Sequence, residues 1–155
     1  MILVWQKRDY MKKILKKIII LLLFGYVGTG LFLYINQRSL LYFPTPNIPT
    51  PYTQMTFPNE GESINTIVLN KGHQNAILYF GGNAESMAQS SAEIARQFPT
   101  FTVYLMDYRG YGGSTGEASE EGLYSDALKL YDTIKPKHKK ISIGGRSLGS
   151  GIATY

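Results

Sequence analysis

The chain has 155 residues, room for one domain of ordinary size, and its 44% hydrophobic content with twelve tyrosines suits a folded core rather than disorder. It contains no cysteine, which excludes disulfides, thiolate metal sites and lipid-modified cysteines. The net charge of +5 is concentrated at one end: six of the sixteen basic residues and one of the eleven acidic ones lie in the first seventeen positions, leaving ten of each sign elsewhere. No basic stripe with interleaved aromatics remains to argue for nucleic acid.

Residues 1–17 form the basic segment, with Lys7, Arg8, Lys12, Lys13, Lys16 and Lys17 against Asp9 alone. Residues 18–35, "IIILLLFGYVGTGLFLYI", follow without a single charge. A helix of that length spans about 27 Å, enough to cross a bilayer core with little tilt. Apolar residues occupy every face, which argues against the buried helix of a soluble domain. Gly28-Thr29-Gly30 offers a small-x-small triplet for a cleaved signal peptide. Against cleavage, the apolar run continues through "LFLYI", so a retained transmembrane anchor fits better. Arg38 alone is basic within about fifteen residues after the span. The charge asymmetry therefore predicts a cytoplasmic N-terminus and a domain on the outer side, periplasmic, extracellular or luminal.

Residues 36–51 hold four of the seven prolines and read as a stiff extended linker that lifts a domain off the membrane. From residue 52 to 155, strand-like and helix-like periods alternate. "YTQMTF" and "SINTIVLN" predict a hairpin through the turn "PNEGE". Asn75–Phe80 predicts a short buried strand, and Met87, Ile94, Ala95 and Phe98 fall on one helical stripe. Phe101–Met106 is strand again. Leu123, Ala127, Leu130, Tyr131 and Ile134 make a second helical stripe, opened by Ser119 with Glu120 and Glu121 in its first turn and stopped by Pro136. "KKISIGG" is the last strand. The order predicts an α/β architecture with a mainly parallel sheet flanked by helices.

Directly after that strand, "GGRSLGSG" places Ser147 between Gly145 and Gly149. A G-x-S-x-G match is weak by itself, and its context decides its worth. Here a β-branched strand precedes it and "GSGIA" can open a helix. A strand-to-helix turn this tight leaves no room for side chains at Gly145 and Gly149, and holds Ser147 in a strained conformation with its Oγ exposed. A phosphate-binding loop is excluded because no Gly-Lys-Ser/Thr follows. In "YFGGNAES", two adjacent glycines after a strand can turn a backbone N–H outward, as an oxyanion hole requires; a plain glycine turn into a helix capped near Ser86 is the alternative.

"RSLLYFP", "YFGGNAES", "DYRGYGGSTG" and "GGRSLGSG", in this order from about Ser39 to the end, resemble the α/β-hydrolase superfamily, most of all its membrane-anchored serine hydrolases akin to prolyl-oligopeptidase-like and lysophospholipase-like proteins. The resemblance implies Ser147 as nucleophile and the backbone N–H groups of Asn83 and Leu148 as oxyanion hole. It implies a structural loop for "DYRGYGGSTG", with Asp107 and Arg109 tying neighbouring turns. Many relatives have His-Gly where Gly81-Gly82 stands, but that histidine is not the general base. No metal or organic cofactor is implied.

His73 and His138 are the only histidines. Each precedes a strand whose far end carries the candidate site, which puts it roughly 15–20 Å from Ser147. A base must come within about 3 Å. In this superfamily the acid and histidine follow the serine on later strands. The expectation is therefore an incomplete α/β-hydrolase fold, the amino-terminal part of a longer enzyme, inactive alone, with the serine strand left as an edge exposing Ile141 and Ile143. The function expected of the intact protein is hydrolysis of an ester, thioester or amide through an acyl-enzyme. The alternative is a non-catalytic membrane-anchored interaction protein or degenerate hydrolase fragment.

Overall fold

The computed structural model describes residues 2–155, with side chains from Tyr10 onward. It divides into two units, a single helix up to Leu41 and a compact unit from Tyr42 to Tyr155. The helix α1 (Ile2–Leu41) runs six residues past the charge-free span and is the one described helix long and apolar enough to cross a membrane. Its large apolar side chains are exposed all round, Phe24 and Tyr26 among them. It stops shortly before Pro44, whose ring disfavours helical backbone at Phe43.

In the second unit, β1 (Thr53–Asn59) and β2 (Glu62–Leu69) form the expected hairpin, in antiparallel register from Thr53↔Val68 to Asn59↔Glu62. Glu60 and Gly61 both take positive φ, +50° and +84°, the pattern of a two-residue hairpin turn whose twist matches the strands. Then come β3 (Asn75–Phe80), α2 (Met87–Gln97), β4 (Thr102–Met106), α3 (Glu120–Ile134), β5 (Lys140–Gly145) and α4 (Leu148–Thr154). Ser86 and Ser119 cap α2 and α3 by accepting the N–H groups of Gln89 and Gly122. Pro136 falls in a single 3-10 turn that ends α3.

The sheet has the order β1-β2-β4-β3-β5. It is mixed: β3 pairs in parallel with β4 and β5, as the strand–helix alternation predicts, while the hairpin joins through an antiparallel β2–β4 ladder. Alternate residues serve opposite faces. Leu78, Phe80, Tyr104 and Met106 pack with Leu123, Leu130 and Ile134 of α3 and Ile152 of α4. Ile77, Val103 and Leu105 pack with Met87 and Ile94 of α2. The chain leaves β3 to one side through α2 and crosses back through α3, so β3 sits beneath a reversal of strand order, where α/β sheets open a crevice at their carboxyl ends. β5 is an edge strand, and Ile143 is 48% exposed on it.

From Tyr42 onward the proline-rich stretch is laid along the compact unit, with Tyr42 packed on the α3 side of the sheet and Tyr52, just after the stretch, on the α2 side. Its backbone finds partners there. The Phe43 N–H donates to Asn83 Oδ1 at 3.0 Å and Tyr111 Oη at 2.9 Å, and Thr45 O accepts the Gly112 N–H at 2.9 Å. Prolines forbid helix and central strand, but they leave carbonyls and intervening N–H groups able to bond a neighbouring loop.

Candidate active site

Ser147 stands between the end of β5 and the first turn of α4 with φ +50° and ψ −115°. A non-glycine residue in that region costs of order 1–3 kcal/mol and persists only where its surroundings impose it. The surroundings are visible. A Cβ on Gly145 would lie 2.1 Å from Gly149 O, and one on Gly149 would lie 2.1 Å from Phe80 O. The Arg146 N–H donates to Phe80 O at 3.0 Å, which fastens the turn to the end of β3. Ser147 itself is exposed, and among the described residues no group hydrogen-bonds its Oγ. Leu148 is the first residue of α4, so its N–H has no acceptor within the helix.

The loop after β3 meets this turn. A Cβ on Gly82 would lie 3.7 Å from Ser147 Cβ. Asn83, next in that loop, is held by its side chain: Oδ1 accepts from Tyr111 Oη at 2.7 Å as well as from Phe43 N–H. Ala84 has φ +63°, so the loop is itself tightly turned. Tyr108 Oη donates to Gly81 O at 2.6 Å, and burial holds the Tyr108 hydroxyl well above its usual range, so it stays protonated. A cavity of about 390 Å³ lies between the two loops, lined by Asn83, Glu85, Gln89, Ser90, Arg146 and Ser147 among others.

Glu85 is a residue that sequence reasoning passed over. Its side chain is only 11% exposed. It accepts the Gly82 N–H at 2.7 Å and Ser90 Oγ–H at 3.1 Å, and faces Arg146 Nη1 at 3.6 Å. The Gly82 N–H is thereby committed to a carboxylate. The signal was a carboxylate three residues after a glycine turn, a spacing that lets a side chain reach back to a backbone N–H.

The "DYRGYGGSTG" loop fastens structure around the site. Asp107 Oδ2 accepts from Asn65 Nδ2 at 2.8 Å and from Gly113 N–H at 3.2 Å, while burial pushes its carboxyl above the usual range. Arg109 forks onto Asp126 of α3, Nε to Oδ2 at 2.8 Å and Nη2 to Oδ1 at 2.9 Å, and also reaches Glu60 at 2.8 Å. Asp126 is fully buried, so this pair knits α3 to the hairpin turn.

Neither histidine approaches Ser147. The β3–β5 register runs from Asn75↔Lys140 to Phe80↔Gly145, with both histidines before its start and Ser147 beyond its end. Six residues of strand separate the two edges by about 20 Å. His138 is not the solvated residue that its run of lysines suggests. Its Nε2 meets Tyr104 Oη at 2.8 Å, and its Nδ1 lies 3.1 Å from the His73 carbonyl, which can only accept. Nδ1 therefore carries the proton and the Tyr104 hydroxyl donates to Nε2 in the neutral ring. Among the described residues no cluster of His, Asp or Glu could hold a metal ion.

No protein-family profile matches the chain. Over 83 residues it is 41% identical to the lysophosphatidylserine lipase ABHD12 of Danio rerio, covering 50% of this chain and 22% of that one. It is 39% identical over 83 residues to the protein ABHD12B of Homo sapiens, covering 50% of this chain and 23% of that one. An uncharacterised protein of Mycobacterium tuberculosis is 29% identical over 143 residues, 81% of this chain and 50% of its own length. The chain thus spans half or less of the length of these curated relatives. Among solved structures, the Pyrococcus furiosus esterase Pf2001 superposes with a TM-score of 0.54 at 20% identity, covering 73% of this chain and 49% of that one. An Aspergillus niger epoxide hydrolase gives 0.53 at 20% identity, covering 66% and 30%. The mixed sheet, its flanking helices and these neighbours together show an α/β-hydrolase-like fold.

Proposed function

We propose that this chain is the membrane-anchored, serine-bearing part of a hydrolase that cleaves a carboxylic ester, thioester or amide through an acyl-enzyme on Ser147. One observation carries the reading. A non-glycine residue held at φ +50° presents its hydroxyl at the apex of a turn that tolerates no side chain at Gly145 or Gly149. The fold hosts several chemistries, and the residue at that apex decides among them. A hydroxyl there is a nucleophile for acyl transfer.

In the proposed reaction Ser147 Oγ bonds to the substrate carbonyl carbon while a base takes its proton. The carbonyl oxygen becomes an oxyanion received by the N–H groups of Leu148 and Asn83. Collapse expels the alcohol, thiol or amine, which regains the proton, and water then hydrolyses the acyl-serine by the same route. The base is the histidine of a triad whose acid and histidine come from polypeptide outside these 155 residues, because His73 and His138 sit at the opposite edge of the sheet. This chain alone is then catalytically silent. The likeness to proteins named lysophosphatidylserine lipase, together with the apolar span of α1, favours an acylglycerol or lysophospholipid ester as substrate. The basic first segment favours a cytoplasmic N-terminus with the catalytic unit on the outer side.

The test is fluorophosphonate labelling of the complete protein in detergent. Labelling that disappears in Ser147→Ala is the expected result, and labelling that survives this substitution overturns the assignment. Hydrolysis of a p-nitrophenyl ester by the isolated 155-residue chain, lost on Ser147→Ala, would overturn the view that the base lies elsewhere.

A further inference from the structure

Immediately before its charge-free run, α1 carries Lys12, Lys13, Lys16 and Lys17, all exposed. At about 100° per residue they fall within an arc of about 140°, Lys12 and Lys16 on one ridge and Lys13 and Lys17 on the next. Met11 and Leu15 occupy the other side of the helix, 58% and 57% exposed, in line with Ile18 and Leu22 of the span. The border between charged and apolar surface therefore runs obliquely across the helix. On one side apolar surface reaches down to Met11; on the lysine side it begins at Ile20. Nine residues of helix make that offset about 13 Å. A helix that crosses the bilayer at a tilt immerses both borders at once, with the lysines lying along the headgroups on one side.

A groove of about 440 Å³ on this surface is lined by Tyr10, Lys13, Ile14, Lys16, Lys17 and Ile20. Its lining is mixed: ammonium groups beside two isoleucines and a tyrosine at the border. An acidic protein or nucleic acid would need only the charge. A phospholipid matches both halves, its phosphate against the lysines and the start of its acyl chains against Ile14 and Ile20.

We propose that Lys12, Lys13, Lys16 and Lys17, with this groove, form a binding face for anionic phospholipid headgroups on the cytoplasmic leaflet. The proposal rests on α1 being a retained anchor. Its physical basis is the attraction of juxtamembrane ammonium groups to a negatively charged surface, which is screened by salt.

The single tryptophan, Trp5, supplies the probe. The full chain is reconstituted into phosphatidylcholine vesicles containing either brominated phosphatidylglycerol or brominated phosphatidylcholine at equal mole fraction. The expected result is quenching about threefold stronger by the anionic lipid at low salt, declining as salt rises. Replacing all four lysines by glutamine should equalise the two lipids, while replacing all four by arginine should keep the preference. Free inorganic phosphate should not compete. Equal quenching by both lipids in a chain that resists carbonate extraction overturns the lipid face and leaves the anchor standing. A preference that survives the four glutamines also overturns it. Release of the chain by carbonate overturns the anchor and the lipid face together.

Discussion

Tyr111 Oη donates a 2.7 Å hydrogen bond to Asn83 Oδ1, tying the loop after β4 to the loop after β3. The same Asn83 oxygen takes the Phe43 N–H, so three stretches far apart in sequence converge on one amide. Phenylalanine at 111 would keep the buried ring, which packs edge-on against Tyr108 with centroids 5.6 Å apart, and delete only the hydroxyl. Tyr111→Phe in the complete protein should cost about 1 kcal/mol in urea unfolding. It should also slow fluorophosphonate labelling, because it loosens the loop that carries Asn83. Lowered stability with an unchanged labelling rate would mean that the loop is fixed for reasons unrelated to Ser147.

The two glycines flanking the serine turn differ sharply from Gly151, two residues on, where a Cβ would meet nothing within 4 Å. Gly149→Ala drives a methyl into the Phe80 carbonyl and should destabilise by about 3 kcal/mol or more, with loss of labelling. Gly145→Ala should behave alike. Gly151→Ala should be close to neutral, or slightly stabilising through helix propensity. Thermal unfolding of the three variants side by side checks the contrast.

Arg109 holds the fully buried Asp126, and burial of an unpaired carboxylate is the costly outcome. Arg109→Ala should cost about 3–5 kcal/mol. Arg109→Lys should recover only part of that, since an ammonium cannot reproduce the fork of Nε and Nη2 on the two carboxylate oxygens. Asp126→Asn combined with Arg109→Met should be milder than Arg109→Ala alone, because no charge is then stranded. Urea midpoints report all three.

Two carboxyls should give opposite slopes to stability in acid. Glu60 is held below its ordinary value, first by its hydrogen bond from Arg109 and then by that from Ser125. Its contribution is therefore present above pH 4.5 and lost as pH falls through its lower folded value. Asp107 is pushed up by burial, so its contribution is fully present below pH 3.8 and lost as pH rises through its higher folded value. Glu60→Gln should flatten the fall in urea midpoint below pH 4.5. Asp107→Asn should remove the decline above pH 3.8 while disturbing the bonds from Asn65 and Gly113. A wild-type profile unchanged by either substitution would contradict both assignments.

Much of the fold was legible because local chemistry repeats at the period of each element. Ser86 and Ser119 announced helix starts, Pro136 a helix end, and the β-branched run before Gly144 a strand. The serine turn could be read because steric demand left its mark as glycines at two fixed offsets. Glu85 escaped notice since a carboxylate beside a glycine turn has no periodic signature; its partners Gly82, Ser90 and Arg146 come from three different local structures. His138 shows the converse. Its lysine neighbours describe the chain on either side of it, whereas Tyr104 and the His73 carbonyl reach it across the sheet edge.

The sequence by itself determined the apolar span, the order of strands and helices, and the tight turn at Ser147, since each follows from side-chain size, charge and period within a few residues. Only the tertiary structure decided that β2 joins β4 antiparallel, that the proline-rich stretch wraps the domain, and that Asn83, Tyr111 and Phe43 meet. Those are hydrogen bonds between groups 28 to 68 residues apart. Their partners are chosen by which backbone and side-chain groups the packed sheet leaves facing each other, a choice that no short window of sequence contains.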